Sequence, residues 1–190
     1  GEGKTTTAIS LAQNFAGLGK SVLLIEGDIR RRVFAEYFTF DHQNGLLSIL
    51  SGAARFDDVV QRKDLISADV LLGEQSATNA ADVFSSERFS AFMNEMRSRY
   101  DVIIIDTPPV LLVPDSRIIA HAADAVLFTV KWDATSRAQV REAVRQFALA
   151  GVSITGAVLN QIDPKGMKRY GYGGIYGAYA AYGEHKYYNN

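Results

Sequence analysis

Along the chain, apolar residues recur in two patterns, a helical spacing and short unbroken runs. Ala8, Leu11, Ala12 and Phe15 stand at i, i+3, i+4 and i+7, one face of a helix that Gly17 and Gly19 bring to an end. Ser21 to Glu26, SVLLIE, is a continuous apolar run bounded by glycine, which suits a strand buried on both faces of a parallel sheet. A second run, DVIIIDTPP, begins at Asp101. Between them, Gly45 to Gly52 and Phe56 to Gln61 read as short helices, and Ala68 to Leu72 as a strand. From Ser85, the spacing of Phe89, Phe92, Met93, Met96 and Tyr100 predicts an amphipathic helix, with Ser85 or Ser86 as cap and Glu87 in its first turn. Ala125 to Lys131 predicts a strand, Arg137 to Ala150 a helix with Val140, Val144 and Phe147 inward, and Ser153 to Leu159 a further strand. Strands alternating with helices mean an α/β fold, a three-layer domain with a mostly parallel sheet flanked by helices.

Composition narrows this little. At 190 residues and 47 % hydrophobic, the chain can bury one good core, expected over residues 1–164. From Lys165 the sequence shifts to Gly, Tyr, Ala and Lys without helical or alternating periodicity, which reads as a flexible tail over 165–190. Lys and Arg total 20 against 21 Asp and Glu, so no global field favours nucleic acid or an anionic membrane. Zero cysteines exclude disulfides, thiolate metal sites and cysteine nucleophiles. His42, His121 and His185 are dispersed without metal-ligand spacing. The apolar runs Val102 to Ile105 and Val110 to Val113 fall far short of the roughly 20 residues of a spanning helix. With no initiator Met and a start inside a motif, the sequence reads as a fragment of a longer product.

Three short stretches carry the chemistry. GEGKT, Gly1 to Thr5, fits the end of a phosphate-binding loop, GxxxxGK[ST], whose first glycine would lie five positions before Gly3. In such a loop glycines let backbone N–H groups approach phosphate oxygens, Lys4 reaches the β/γ-phosphates, and the Thr5 hydroxyl ligates Mg²⁺ at a helix N-terminus. A chance glycine turn before a helix is the bland alternative. Val102-Ile103-Ile104-Ile105-Asp106 is a strand delivering a carboxylate to its C-terminal end, where α/β folds bind ligands and where Asp106 would hold the Mg²⁺ shell. Otherwise Asp106 simply caps the next turn, stiffened by Pro108 and Pro109. LLIEGDIR puts Glu26 and Asp28 at i and i+2, pointing to one side of an extended segment. Two carboxylates there can orient metal-bound water or take a proton from an attacking hydroxyl, as phosphoryl transfer requires; a charged turn after a strand is the alternative.

These elements, in this order, together with the tail, resemble the bacterial protein-tyrosine autokinases of capsule and exopolysaccharide assembly over nearly the whole chain. GEGKT resembles the family's Walker A ending, LLIEGDIRR its Walker A′, and DVIIIDTPPVLLVPDS its Walker B and following loop; GLLSILSG, NAADVFSSERF and GAVLN also resemble family stretches. The resemblance implies a P-loop NTPase-like fold using ATP and Mg²⁺. It assigns catalysis to Lys4, Glu26, Asp28 and Asp106, with Glu26 as candidate base. Nucleotide binding falls to Gly1, Glu2, Gly3, Lys4, Thr5, Thr6, Arg30 and Asn160, and metal binding to Thr5, Asp28 and Asp106. One departure stands out, because the family usually has Asp where this chain has Glu26. The resemblance further implies a ring-like homo-oligomer, a transmembrane polysaccharide co-polymerase fused or separate, and a cognate tyrosine phosphatase. It places the domain on the cytoplasmic side of the bacterial inner membrane, with no nucleic-acid partner. Cell-division and plasmid-partition switch ATPases share the loop class and remain the alternative; a nucleotide-binding adaptor weakened by Glu26 is another.

The tail supplies the acceptor in this reading. Tyr170, Tyr172, Tyr176, Tyr179, Tyr182, Tyr187 and Tyr188 are seven of the chain's nine tyrosines, interleaved with helix-breaking glycines. A flexible segment could thread each hydroxyl into an active site, its own or a neighbour's. The alternative is a low-complexity aromatic segment that self-associates or stacks on a base or sugar.

Overall fold

The computed structural model describes residues 1–74, 79–163 and 166. Its centre is strand β1 (Val22–Glu26), whose five residues are all buried. β1 runs parallel to β3 (Ala68–Leu71) on one side and to β4 (Val102–Asp106) on the other, with Glu26 in register with Asp106. A three-residue strand, β2 (Gln61–Lys63), closes the far edge antiparallel to β3, giving the order β2-β3-β1-β4. β5 (Leu127–Lys131) and β6 (Gly156–Asn160) form a separate parallel pair.

Side-chain alternation along β1 divides the core in two. Leu23 and Ile25 meet an apolar layer from α2 (Leu46–Ser51), α3 (Phe56–Val59), α4 (Ala80–Phe84), α5 (Glu87–Arg99) and α6 (Asp115–Ala120). Val22 and Leu24 face α1 (Lys4–Gly17) and the aromatic pair Phe34 and Phe38. Each fully buried Leu or Ile of β1 contributes about 1.5 to 3 kcal/mol. That burial fixes the strand ends, and with them the carboxylates that the strands carry. α7 (Arg137–Leu149) covers the smaller sheet through Ala143 and Phe147.

Several expectations from sequence are refined. The inward face of α1 is made of Ala8 and Ala12, small enough to bring the helix close to β1, while Phe15 lies at its rim, 36 % exposed. On α7 the buried positions are Ala143 and Phe147, and Val144 points outward, 46 % exposed. Gln61, read as a helix end, begins β2. α4 and α6 are too short to show a helical period, and both escaped the pattern. Ser86 is the cap of α5, accepting the Phe89 N–H at 3.2 Å.

β4 was expected to be buried on both faces, yet Val102 to Ile105 are only half-buried. Its outer edge and the outer edge of β5 line a common groove of about 420 Å³, together with Gly1, Glu2 and Lys4. Val102 N–H and Asp106 C=O bond toward β1, so by parallel alternation the main-chain groups of Ile103 and Ile105 turn away from β1, and Ile105 lines the groove. On β5, Val126 C=O and Trp132 N–H bond toward β6, which turns Leu127, Thr129 and Lys131 the same way. Among the described residues, no helix is long and apolar enough to cross a membrane.

Candidate functional site

The C-terminal ends of β1 and β4 and the N-terminus of α1 converge. Gly3 caps α1 with φ of +80°, a left-handed conformation that costs glycine nothing. A Cβ at Gly3 would also collide with the side-chain amide of Asn160, so the close approach demands glycine. From the end of β6, Asn160 Nδ2 donates to the main-chain oxygens of Glu2 (3.2 Å) and Gly3 (3.3 Å) and to Thr7 Oγ1 (3.3 Å). Gln161 Nε2 adds a bond to Gly1 O at 3.0 Å. Asn160, expected from the resemblance to bind nucleotide, is here bonded to the loop itself.

Inside this cradle Lys4 Nζ donates to Glu2 Oε2 at 2.6 Å. Thr5 Oγ1 donates to Asp106 Oδ2 at 2.6 Å, joining residues 101 positions apart. That pair is the hydroxyl and carboxylate by which P-loop enzymes hold Mg²⁺. Burial, and to a lesser degree the neighbouring charge of Asp28, push the Asp106 carboxyl up to about 6 despite the Thr5 bond. No three acidic or histidine side chains form a metal cage among the described residues. An all-oxygen set of one hydroxyl and one or two carboxylates fits Mg²⁺, which is normally shared between a few protein oxygens and nucleotide phosphates. Thr6 is exposed on the first turn, its Oγ1 3.5 Å from the Tyr37 hydroxyl.

The loop after β1 carries Asp28 and Arg30. Asp28 Oδ1 accepts the Arg31 N–H at 3.1 Å. Arg30, expected from the resemblance to bind nucleotide, forms a two-pronged bond to Asp115 at the start of α6, Nε to Oδ2 at 2.8 Å and Nη2 to Oδ1 at 3.3 Å. Glu26 is wholly buried: Oε1 accepts the Phe34 N–H at 2.7 Å and Oε2 the Gly73 N–H at 3.0 Å. Desolvation raises its carboxyl to about 7, partly offset by the two N–H bonds.

Sequence reasoning missed Asp115, Gln161 and Glu74, which accepts the Gly45 and Ser48 N–H groups at 2.6 Å each and so ties α2 to the end of β3. Asp115 did carry a signal, an acid directly after Pro114 at a helix start, but that signal reads equally as a cap. The seven tail tyrosines and the predicted tail, Gly166 apart, lie outside the described residues.

A glycine-capped helix, a strand-borne Asp on the loop threonine and a parallel sheet define a P-loop nucleotide-binding fold of the AAA class. Residues 1–155 match the AAA domain family, to which the chain belongs. Within it, the chain belongs to the bacterial tyrosine-protein kinases. It is 33 % identical over 174 residues to the tyrosine-protein kinase YwqD of Bacillus subtilis, covering 92 % of this chain and 73 % of that protein. It is 36 % identical over 179 residues to the putative tyrosine-protein kinase EpsB of Ralstonia solanacearum, spanning 94 % of this chain but only 24 % of that relative's length. Among solved structures, the VpsO kinase domain superposes with a TM-score of 0.80 at 34 % identity, covering 86 % of this chain and 80 % of that one. The septum site-determining protein MinD of Pyrococcus horikoshii, solved with Mg-ADP, shares the fold at TM-score 0.67 and 19 % identity, covering 84 % of this chain and 65 % of that one.

Proposed function

We propose that the chain is the catalytic region of an ATP- and Mg²⁺-dependent protein-tyrosine kinase that phosphorylates its own C-terminal cluster, between subunits of an oligomer. The observation that carries this is the Thr5–Asp106 contact beside Lys4 at the end of a glycine-capped loop. In this reading Lys4 leaves Glu2 to hold the β/γ-phosphates, Gly1 to Thr6 wrap the phosphate chain with their N–H groups, and Asn160 keeps the loop in shape. Thr5, Asp106 and Asp28 hold Mg²⁺, which when bound neutralises charge developing on the transferred phosphoryl group. The tyrosine oxygen bonds to the γ-phosphorus, the bond to ADP breaks, and the phenolic proton passes to a carboxylate at the site.

Phosphorylation adds about 1.5 to 2 negative charges per tyrosine, turning a near-neutral tail strongly anionic and releasing it from a neighbouring subunit. The names of the relatives, tyrosine-protein kinases, support the kinase activity, and the motif resemblance supports a role in capsule or exopolysaccharide assembly. We place the domain on the cytoplasmic face of the membrane, working with a transmembrane co-polymerase and opposed by a phosphatase. The chimeric protein CapA2B2 resembles this chain at TM-score 0.80 and 26 % identity, covering 85 % of this chain and 72 % of that one.

Incubating the full-length protein and a Lys4→Met variant with Mg²⁺-ATP, followed by phosphotyrosine mapping by mass spectrometry, tests the reading. Phosphate on Tyr170 to Tyr188 in the parent and none in the variant is expected. ATP hydrolysis without tail phosphotyrosine would instead identify a switch ATPase with a non-substrate tail, and neither activity would identify a nucleotide-binding adaptor.

A further inference from the structure

We propose that Glu26 is a positioning residue rather than the base: its carboxylate latches the two loops flanking the site and so sets where Asp28 stands relative to Thr5 and Asp106. The proposal rests on the kinase reading above for the identity of the reaction, and on the following geometry for the role.

A general base must come within about 2.6 to 3.2 Å of the hydroxyl it deprotonates, directly or through one water. Glu26 has no accessible surface from which to do so. Each of its oxygens instead ends on a main-chain donor, one belonging to Phe34 and one to Gly73. The first bond reaches eight residues along the chain and closes the loop that carries Asp28 and Arg30. The second reaches across to the segment leaving β3. Gly73 is part of the device, since a Cβ there would stand 2.8 Å from the Glu26 main-chain oxygen and 3.3 Å from its Cγ.

The closed loop is fixed at two further points. Asp28 holds the turn within it through the Arg31 N–H, while its main-chain oxygen accepts the Arg32 N–H at 3.1 Å. Arg30 anchors the outside of the turn to Asp115, which is 1 % exposed. The Asp28 carboxylate therefore stands on a loop held from inside by Glu26 and from outside by α6. Chain length accounts for the residue type: from the end of β1, two donors on opposite loops are bridged by the longer glutamate arm. An aspartate is one methylene shorter. Among the described residues the Asp28 carboxylate accepts one hydrogen bond, from the Arg31 N–H, and is left as the carboxylate of this loop that can face the reacting groups.

The test compares full-length protein with Glu26→Gln, Glu26→Asp and Gly73→Ala variants. It reads the Mg²⁺ concentration for half-maximal autophosphorylation, kcat at saturating Mg²⁺, and Mg²⁺-dependent binding of a fluorescent ATP analogue. Displacing a group that orients metal ligands typically weakens metal affinity by about 10- to 100-fold. All three variants should therefore shift the Mg²⁺ requirement upward by at least about 10-fold, with kcat recovering to within a few-fold of the parent at high Mg²⁺. A base would behave oppositely: Glu26→Gln would lower kcat by about 10²- to 10⁴-fold at every Mg²⁺ concentration, with unchanged metal dependence. That outcome, or a Gly73→Ala protein with parental Mg²⁺ dependence, overturns the proposal. Should Glu26→Gln not fold, as a melting curve would reveal, Gly73→Ala decides, because it disturbs the latch without altering the carboxylate. If the parent makes no phosphotyrosine, the kinase reading fails, while the Mg²⁺ dependence of analogue binding still decides the latch.

Discussion

Replacing Asp106 with Asn should make the protein more stable, and increasingly so as the pH rises. Asp106 is 4 % exposed, and burial lifts its carboxyl from an ordinary 3.8 to about 6. Between those values the folded state holds a proton that the unfolded chain has given up, so the fold is favoured below pH 4 and that advantage is lost as pH climbs through 6. A gap of about two pH units, at about 1.4 kcal/mol each, makes a cost of ~3 kcal/mol at pH 8 and ~1 kcal/mol at pH 4.5. Asparagine carries no charge at either pH, and its amide oxygen can still accept the Thr5 hydroxyl. Whatever constant price the amide brings, the stability difference between variant and parent should therefore grow by about 2 kcal/mol from pH 4.5 to pH 8. Relief of the Glu26 carboxyl, which the Asp106 charge also pushes up, acts in the same direction. Urea unfolding in chelator at the two pH values measures this directly. Millimolar Mg²⁺-ATP at pH 8 should then stabilise the parent and leave the variant unchanged, since the stabilisation comes from binding to the folded state alone. A variant advantage equal at both pH values, or smaller at pH 8, would refute the claim that a buried carboxylate is held at the site at a cost to stability.

Two further outcomes follow from the backbone. Gly3→Ala forces a side chain into left-handed backbone and against Asn160, so it should abolish ATP-analogue binding while shifting the melting temperature by only a few degrees, about 1 to 2 kcal/mol of strain. Retained binding would mean that the loop adapts. By amide hydrogen exchange in the 190-residue chain, Ile103, Ile105, Leu127 and Thr129 should exchange faster than their neighbours Ile104, Phe128 and Val130, because the first set turns away from β1 and β6 and the second bonds to them. Uniform protection along both strands would show that the groove is filled by a further strand.

The central part of the fold was legible because local signals agreed. SVLLIE and DVIIID are unbroken apolar runs, and each became a strand next to the other in the sheet. Phe89, Phe92, Met93 and Met96 kept a strict helical period and are all buried. What failed did so where that agreement broke. QRK at β2 is a strand only because β3 offers it a partner, and no propensity marks it. α6 is six residues long and begins beside Pro114, too short for a period to emerge. Val144 has the right spacing and the wrong side, because α7 turns the small Ala143 toward the sheet it covers.

The site was legible to the extent that its residues sit at the ends of predicted strands. A strand end or a helix start fixes where a Cα stands, so Thr5 at the start of α1, Asp28 just past β1 and Asp106 at the end of β4 could be gathered from sequence alone. It does not fix where a long side chain goes. Glu26, Arg30 and Asn160 stand at the expected places, yet each spends its polar groups on the scaffold: the Phe34 and Gly73 amides, Asp115, and the oxygens of Glu2 and Gly3. Their partners lie 8, 47, 85 and more than 150 residues away, separations that no local pattern records. A motif read from sequence therefore gathers groups left open toward the site together with groups bonded into the scaffold around it. Telling them apart requires knowing whether a polar atom ends on open space or on a backbone amide, and for Glu26 both oxygens end on amides.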